Sequence, residues 1–347
     1  MRADAEVPLV APSSVDEEGV LRQAPKSVPQ LLTPDYVRSV WQDLSTVLVP
    51  TSLVHSAALD EVIGARVLLA CETFQHTGSF KFRAAYNLLR SVPNTRVVTA
   101  SSGNFGQALA LAARQLRKEA IVVMPATSAR VKIDAVRRQG ATVELVDTTR
   151  ITRAARVAEL LAEDATRFYA PAFDDLRVVA GNSSLGREIL EGVSDLQDVV
   201  VPVGGGGLIS GVITARRVLQ SSVAIVGAEP ALGNDAARSL QSGELIANDA
   251  EPPTIADGAR TLSLGTVTWP IVRGGVEDIV EVSEQRIAEA VRLLFLHANV
   301  KAEPTGALAV GALLERPARF AGRRVCCVVS GGNVDAEVYA SILRGEI

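Results

Sequence analysis

From residue 60 onward, short apolar runs alternate with longer segments whose apolar positions recur at helical spacing. The runs at 65–72, 96–101, 120–126, 141–147, 198–204, 222–229 and 324–332 are apolar nearly throughout. That is the pattern of strands whose sheet is covered by helices on both faces. Between them, segments such as 106–118, 132–140 (closing at Gly140) and 209–219 carry Ala, Leu, Val and Arg with helical period. Strands alternating with helices predict a mainly parallel α/β fold, in one sheet or two. Ligands of such sheets bind beyond the carboxyl ends of the strands. Three loops expected there are rich in glycine and polar residues: Ser101 to Gly106, Gly204 to Gly207, and Ser330 to Asn333.

Composition narrows this picture. The 347 residues are 48% hydrophobic, enough for more than one core, so two domains are expected. A net charge of −4 argues against nucleic acid or an anionic membrane as the main partner, and leaves room for a small anionic ligand in a local pocket. Cys71, Cys326 and Cys327 have no metal-ligand spacing, and the last two sit in the apolar run VCCVV; all three are expected as core thiols of a protein from a reducing cytosol. The start, MRADAEVPLV, has no leader pattern, and no apolar run approaches the roughly 18 residues of a membrane span. Pro25, Pro29 and Pro34 mark residues 1–34 as a loose or docking arm.

Each loop suggests a chemistry and also has a plainer reading. Gly204, Gly205, Gly206 and Gly207 lie between a strand and a helix, so converging backbone N–H groups and a helix N-terminus could hold a phosphate. A tight turn needs fewer glycines. Lys81 follows Gly78-Ser79-Phe80 at an expected helix start, where the positive end of the helix favours the neutral amine that Schiff-base chemistry requires. Taken alone, it reads better as a solvated lysine. The serines of the loop at 101–106 suit a carboxylate or an ordinary N-cap, with the helix expected to open at Gly106. Ser330 can reach a ring nitrogen or close a turn.

In this order the motifs GSFKFRAA, SSGNFGQA, VPVGGGGL, AEP (228–230), ADG (256–258), EPTGA (303–307) and SGGNVD (330–335) resemble the fold-type II pyridoxal-phosphate (PLP) enzymes, specifically the serine/threonine dehydratase and serine racemase family. The resemblance implies a tryptophan synthase β-like α/β fold with mainly parallel sheets flanked by helices. Its large domain would comprise 35–95 and 174–347, and its small domain 96–173. It implies that Lys81 carries PLP as a Schiff base, Phe80 lies against the ring, and Asn104 meets the ring 3-oxygen. Gly204, Gly205, Gly206, Gly207 and Leu208 would hold the phosphate, and Ser330 would face the pyridine nitrogen. The substrate, a small β-hydroxy amino acid such as L-serine, L-threonine or 3-hydroxyaspartate, would set its carboxylate on Ser101, Ser102, Gly103, Asn104 and Phe105. Lys81 would take the α-proton, and water and then ammonia would be lost. Ser102, where dehydratases often have alanine, is the candidate second base for racemisation. A non-catalytic PLP-binding protein is the third reading. Glu229, Gly233 and Asp235 match a divalent-cation site of racemase-like members and suit Mg²⁺ or Ca²⁺. A cytoplasmic homodimer without the family's regulatory C-terminal domain is expected. Departures from the family pattern fall at Phe105 (usually His), at Ala84 after Arg83, and at Ser183 and Ser184 in VAGNSS. They are expected to bear on substrate choice.

Overall fold

The computed structural model describes residues 32–347 and, ahead of them, the paired dipeptide strands Ser14–Val15 and Leu21–Arg22. Most of the expected N-terminal arm lies outside the described residues. Pro34 does not break a helix; it occupies the first position of Pro34–Leu44, where a missing N–H costs nothing.

In chain order the next strands are β1 (Ser52–His55), β2 (Arg66–Cys71), β3 (Arg96–Ala100), β4 (Glu119–Pro125) and β5 (Thr142–Val146). They are followed by β6 (Arg167–Tyr169), β7 (Asp198–Pro202), β8 (Ala224–Pro230), β9 (Asp278–Val282) and β10 (Arg324–Val329). A six-stranded sheet runs β9-β8-β7-β10-β2-β1, and a four-stranded sheet runs β5-β4-β3-β6. Every pairing in them is parallel except β1 with β2. The mainly parallel α/β expectation holds, and there are two such sheets.

Helices α1 (Lys81–Arg90), α2 (Asn104–Gln115), α3 (Arg130–Arg138), α4 (Leu176–Gly192), α5 (Gly207–Val218) and α6 (Pro304–Glu315) matter most for the site. Every residue of β7 is buried. Val199 and Val201 pack with α4 and α5 on one face of the six-stranded sheet. Val200 packs with α6 and helix Glu284–Ala298 on the other. That two-sided cover is why the strand is apolar after its first residue. The three cysteines are buried and free, as expected of core thiols.

Arg83 ties α1 into this frame. Fully buried, it donates from Nε and Nη2 to both oxygens of the equally buried Glu72 (2.7 and 2.9 Å). It also donates to both Glu188 oxygens (2.9 and 3.0 Å), to Ser184 Oγ (3.0 Å) and to Thr51 Oγ1 (2.7 Å). Beside it α1 and α4 nearly touch. A Cβ on Gly181 would stand 2.5 Å from the Arg83 carbonyl oxygen and 3.1 Å from Ala84 Cα.

Candidate active site

The chain between β2 and α1 turns through left-handed Thr77 (φ 62°) and Gly78 (φ 74°) and is then stapled to the loop after β10. Ser79 bridges Gly331, and Phe80 N donates to the Ser330 carbonyl at 3.0 Å. Lys81 is thus the first residue of α1, fixed from both sides. Its Nζ donates to the Ala172 carbonyl at 3.1 Å and lies 5.0 and 5.8 Å from the ring centres of Phe80 and Phe105. Burial lowers its pKa to about 8, with the negative charge of Glu303 working against the shift. The amine is therefore primed for neutrality, with burial as the leading cause.

The glycine loop leaves β7 and enters α5. Gly206 is left-handed (φ 85°), and a Cβ on Gly205 would stand 2.4 Å from the ring of Phe173. The Gly205 carbonyl accepts from Thr268 Oγ1 (2.8 Å), and Asn182 Nδ2 donates to the Gly207 carbonyl (3.0 Å). Carbonyls are thus held from behind, while among the described residues the N–H groups of Gly204 to Gly207 meet no protein acceptor. The Thr261 hydroxyl, 3.6 Å from where a Gly204 Cβ would lie, is buried without a partner. Together these groups form a cup of donors for an anion at a helix N-terminus.

The third loop differs slightly from expectation: α2 opens at Asn104, not Gly106, because Gly103 is its N-cap. Asn104 Nδ2 donates to Glu303 Oε1 (2.7 Å), and Asn104 Oδ1 accepts from Asn333 Nδ2 (2.8 Å). Ser101 Oγ accepts from Gly106 N (3.1 Å), whereas the Ser102 hydroxyl bonds to no other described residue. Phe105 is buried in the core beneath the four-stranded sheet. Ser330, also buried, directly follows β10, and Leu208 packs into the core behind the glycine loop.

Glu303 was not singled out by the sequence reading. It is buried at the start of α6, and burial together with nearby Asp257 pushes its carboxyl up to about 8. Asn104 and Lys132 oppose that rise. A lone acid before Pro304 at the head of an otherwise apolar helix was the available signal.

The carboxyl ends of β2, β3, β7 and β10 therefore bring together a half-buried amine, a carboxylate-sized set of donors and a phosphate-sized one. Residues 44–331 match the family described as pyridoxal-phosphate dependent enzymes. The chain belongs to this family. An L-threo-3-hydroxyaspartate ammonia-lyase of Pseudomonas sp. is 42% identical over 300 residues, spanning 85% of this chain and 93% of the relative. A serine racemase of Schizosaccharomyces pombe is 33% identical over 90% of this chain and 98% of its own. The structure of maize serine racemase superposes with a TM-score of 0.82 at 30% identity, covering 90% of this chain and 97% of that one. The two parallel sheets are thus those of fold-type II PLP enzymes. The residues present fit the cofactor: the glycine cup is crowded against Phe173, its N–H groups are unclaimed, and Thr261 offers a free hydroxyl.

Of the family departures, Ser183 and Ser184 are wired into the scaffold. Ser183 Oγ accepts from Trp41 Nε1 (2.7 Å) and donates to the Ala180 carbonyl; Ser184 Oγ accepts from Arg83 and donates to the Gly181 carbonyl. Both hydroxyls are thereby engaged within the scaffold. At the end of β8, Glu229 and Asp235 are both buried, and Gly233 lies between them. The Glu229 oxygens accept from the N–H groups of Ala236 and Ala237 (both 2.9 Å). Asp235 Oδ1 accepts from Asn248 Nδ2, while Oδ2 has no partner. Among the described residues no cluster of three or more His, Cys, Asp or Glu side chains is placed to hold a metal. No helix among them is long and apolar enough to cross a membrane.

Proposed function

We propose that this protein is a PLP-dependent ammonia-lyase that dehydrates a β-hydroxy amino acid, with 3-hydroxyaspartate as its preferred substrate. The observation that carries the reading is the half-buried Lys81 amine, its pKa lowered, at the strand ends that also carry the glycine loop and the loop at 101–106. The 42% identity to a hydroxyaspartate ammonia-lyase supports the choice of substrate.

Lys81 would hold the cofactor, with Phe80 against its ring, Asn104 at its 3-oxygen and Ser330 at its nitrogen. Gly204 to Gly207 with Leu208 would hold its phosphate. When bound, the cofactor supplies the electron sink that makes the substrate's α-proton acidic. Ser101, Ser102 and the N–H groups at the head of α2 receive the substrate α-carboxylate. Lys81 takes the α-proton, and a pKa near 8 suits it to accept and return that proton close to neutrality. The β-hydroxyl leaves as water, and the released enamine hydrolyses to a 2-oxo acid and ammonia. Phe80 and Phe105 close apolar surface around the amine and limit water there.

The test is to incubate PLP-loaded protein with L- and D-serine, L-threonine and the 3-hydroxyaspartate isomers. The readouts are 2-oxo acid, ammonia and the configuration of the remaining amino acid. Equal oxo acid and ammonia, fastest from L-threo-3-hydroxyaspartate, is expected. No ammonia from any of them refutes the lyase. Inverted amino acid without ammonia would establish the second reading, a racemase, which the unengaged Ser102 hydroxyl supports.

We also infer a hard cation, Mg²⁺ or Ca²⁺, at Glu229, Asp235 and the Gly233 carbonyl. Burial raises both carboxyls, Asp235 to about 7, and Asp235 Oδ2 is unpartnered. A divalent ion would offset both penalties. Added Mg²⁺ should raise the melting temperature of chelator-treated protein, and Asp235→Asn should remove the response. No shift would refute the site.

A further inference from the structure

Lys132 is one of five lysines in the chain, and neither the proposed chemistry nor the cofactor cup uses it. It stands in the first turn of α3, the helix that follows β4. β4 pairs with β3, and Ser101 N donates to the Val123 carbonyl of β4 (3.2 Å). The segment leading from β4 to Lys132 therefore starts beside the loop that receives the α-carboxylate.

Lys132 Nζ reaches out of the four-stranded unit to Asp257 Oδ2 at 2.8 Å. Among the described residues this is the only ion pair joining residues 96–169 to the rest of the protein. Asp257 lies in the ADG turn, which packs directly on the site. Gly258 N donates to Thr305 Oγ1 (2.9 Å), and a Cβ on Gly204 would stand 3.3 Å from the Gly258 carbonyl oxygen. Both Asp257 and Lys132 are close enough to shift Glu303, the partner of Asn104. The pair thus sits at the mouth of the site, between the substrate loop and the cofactor cup.

The pair is also easily exchanged. The two side chains are 27% and 43% exposed, and ion pairs in that setting contribute little to stability. An incoming carboxylate can replace Asp257 at small cost and gains a charge-assisted hydrogen bond in a partly desolvated crevice. Neighbouring parallel strands lie about 4.8 Å apart, so adjacent loops can hold the two ends of one small diacid.

We infer that Lys132 receives the second carboxylate of the substrate, and that Asp257 takes that place when the substrate is absent. This rests on the ammonia-lyase reading and deepens it: Lys132 selects a β-hydroxy amino acid with a distal carboxylate over serine.

The experiment compares PLP-loaded wild type, Lys132→Met and Lys132→Arg. It measures kcat/KM for L-threo-3-hydroxyaspartate and L-serine, and in parallel titrates succinate by calorimetry. Lys132→Met should lower the hydroxyaspartate-to-serine ratio by about 30-fold and weaken succinate by about 10-fold or more, and Lys132→Arg should restore most of both. Asp257→Asn, which removes the internal competitor, should tighten succinate. An unchanged ratio and unchanged succinate binding in Lys132→Met would overturn the assignment, as would wild type that turns over serine alone. If wild type converts neither substrate, the lyase reading falls, and the succinate titration alone then decides for or against Lys132.

Discussion

Replacing Arg83 with methionine tests how Lys81 is held. Arg83 makes six donor contacts of 3.0 Å or less from a fully buried position, two residues beyond Lys81. Methionine fills much of its volume but leaves its acceptors alone. Ser184 and Thr51 are neutral, and Glu188 is 29% exposed and can regain water. Glu72 is completely buried and cannot. Breaking a buried pair so that one charge is stranded costs about 3–5 kcal/mol, a large share of the roughly 5–15 kcal/mol that stabilises a folded protein. Urea unfolding of cofactor-free protein, followed by far-ultraviolet circular dichroism, should therefore show a loss of about 4 kcal/mol. Adding Glu72→Gln to that variant should recover about half, because the stranded charge is removed. A loss below about 1.5 kcal/mol, or no recovery in the double variant, would refute the reasoning.

Three further outcomes are expected. Gly205→Ala drives a Cβ into the Phe173 ring, a 2.4 Å approach, and should weaken PLP binding about 10-fold or more in an absorbance titration while the fold persists; unaltered affinity would remove the loop from the phosphate cup. The Glu303 carboxyl, raised from 4.5 to about 8, favours folding fully below pH 4.5, and that contribution fades as pH rises through 8. Between pH 5 and 9, cofactor-free wild type should thus lose about 4 kcal/mol relative to Glu303→Gln, and parallel profiles would contradict the shift. Ser102→Ala should abolish any racemisation of serine and spare elimination from the L-substrates, whereas equal loss of both activities would deny Ser102 the role of second base.

What could be read in the sequence follows from how local each signal is. After their first residues β7 and β10 are apolar because they are covered on both faces, so their runs announced them. β1 is an antiparallel edge strand half open to solvent, β6 has three residues, and β9 mixes acids with valines, so none stood out from loop sequence. Glycine loops are legible because backbone N–H groups need close approach, a demand written in the residues themselves. Arg83, Glu303 and Lys132 are not legible in that way: each depends on partners 11 to 199 residues away or more loosely on the cleft they share. The departures from the family pattern make the same point. Ser183 and Ser184 hold Trp41 and Arg83, and Ala84 lies where Gly181 brings two helices together. Those three changes lie in the frame behind the site, whereas the fourth departure, Phe105, stands beside the Lys81 amine. The ion pair of Lys132 and Asp257 lies at the mouth, where the substrates differ: serine ends in the hydroxyl that is lost, and hydroxyaspartate carries a carboxylate beyond it.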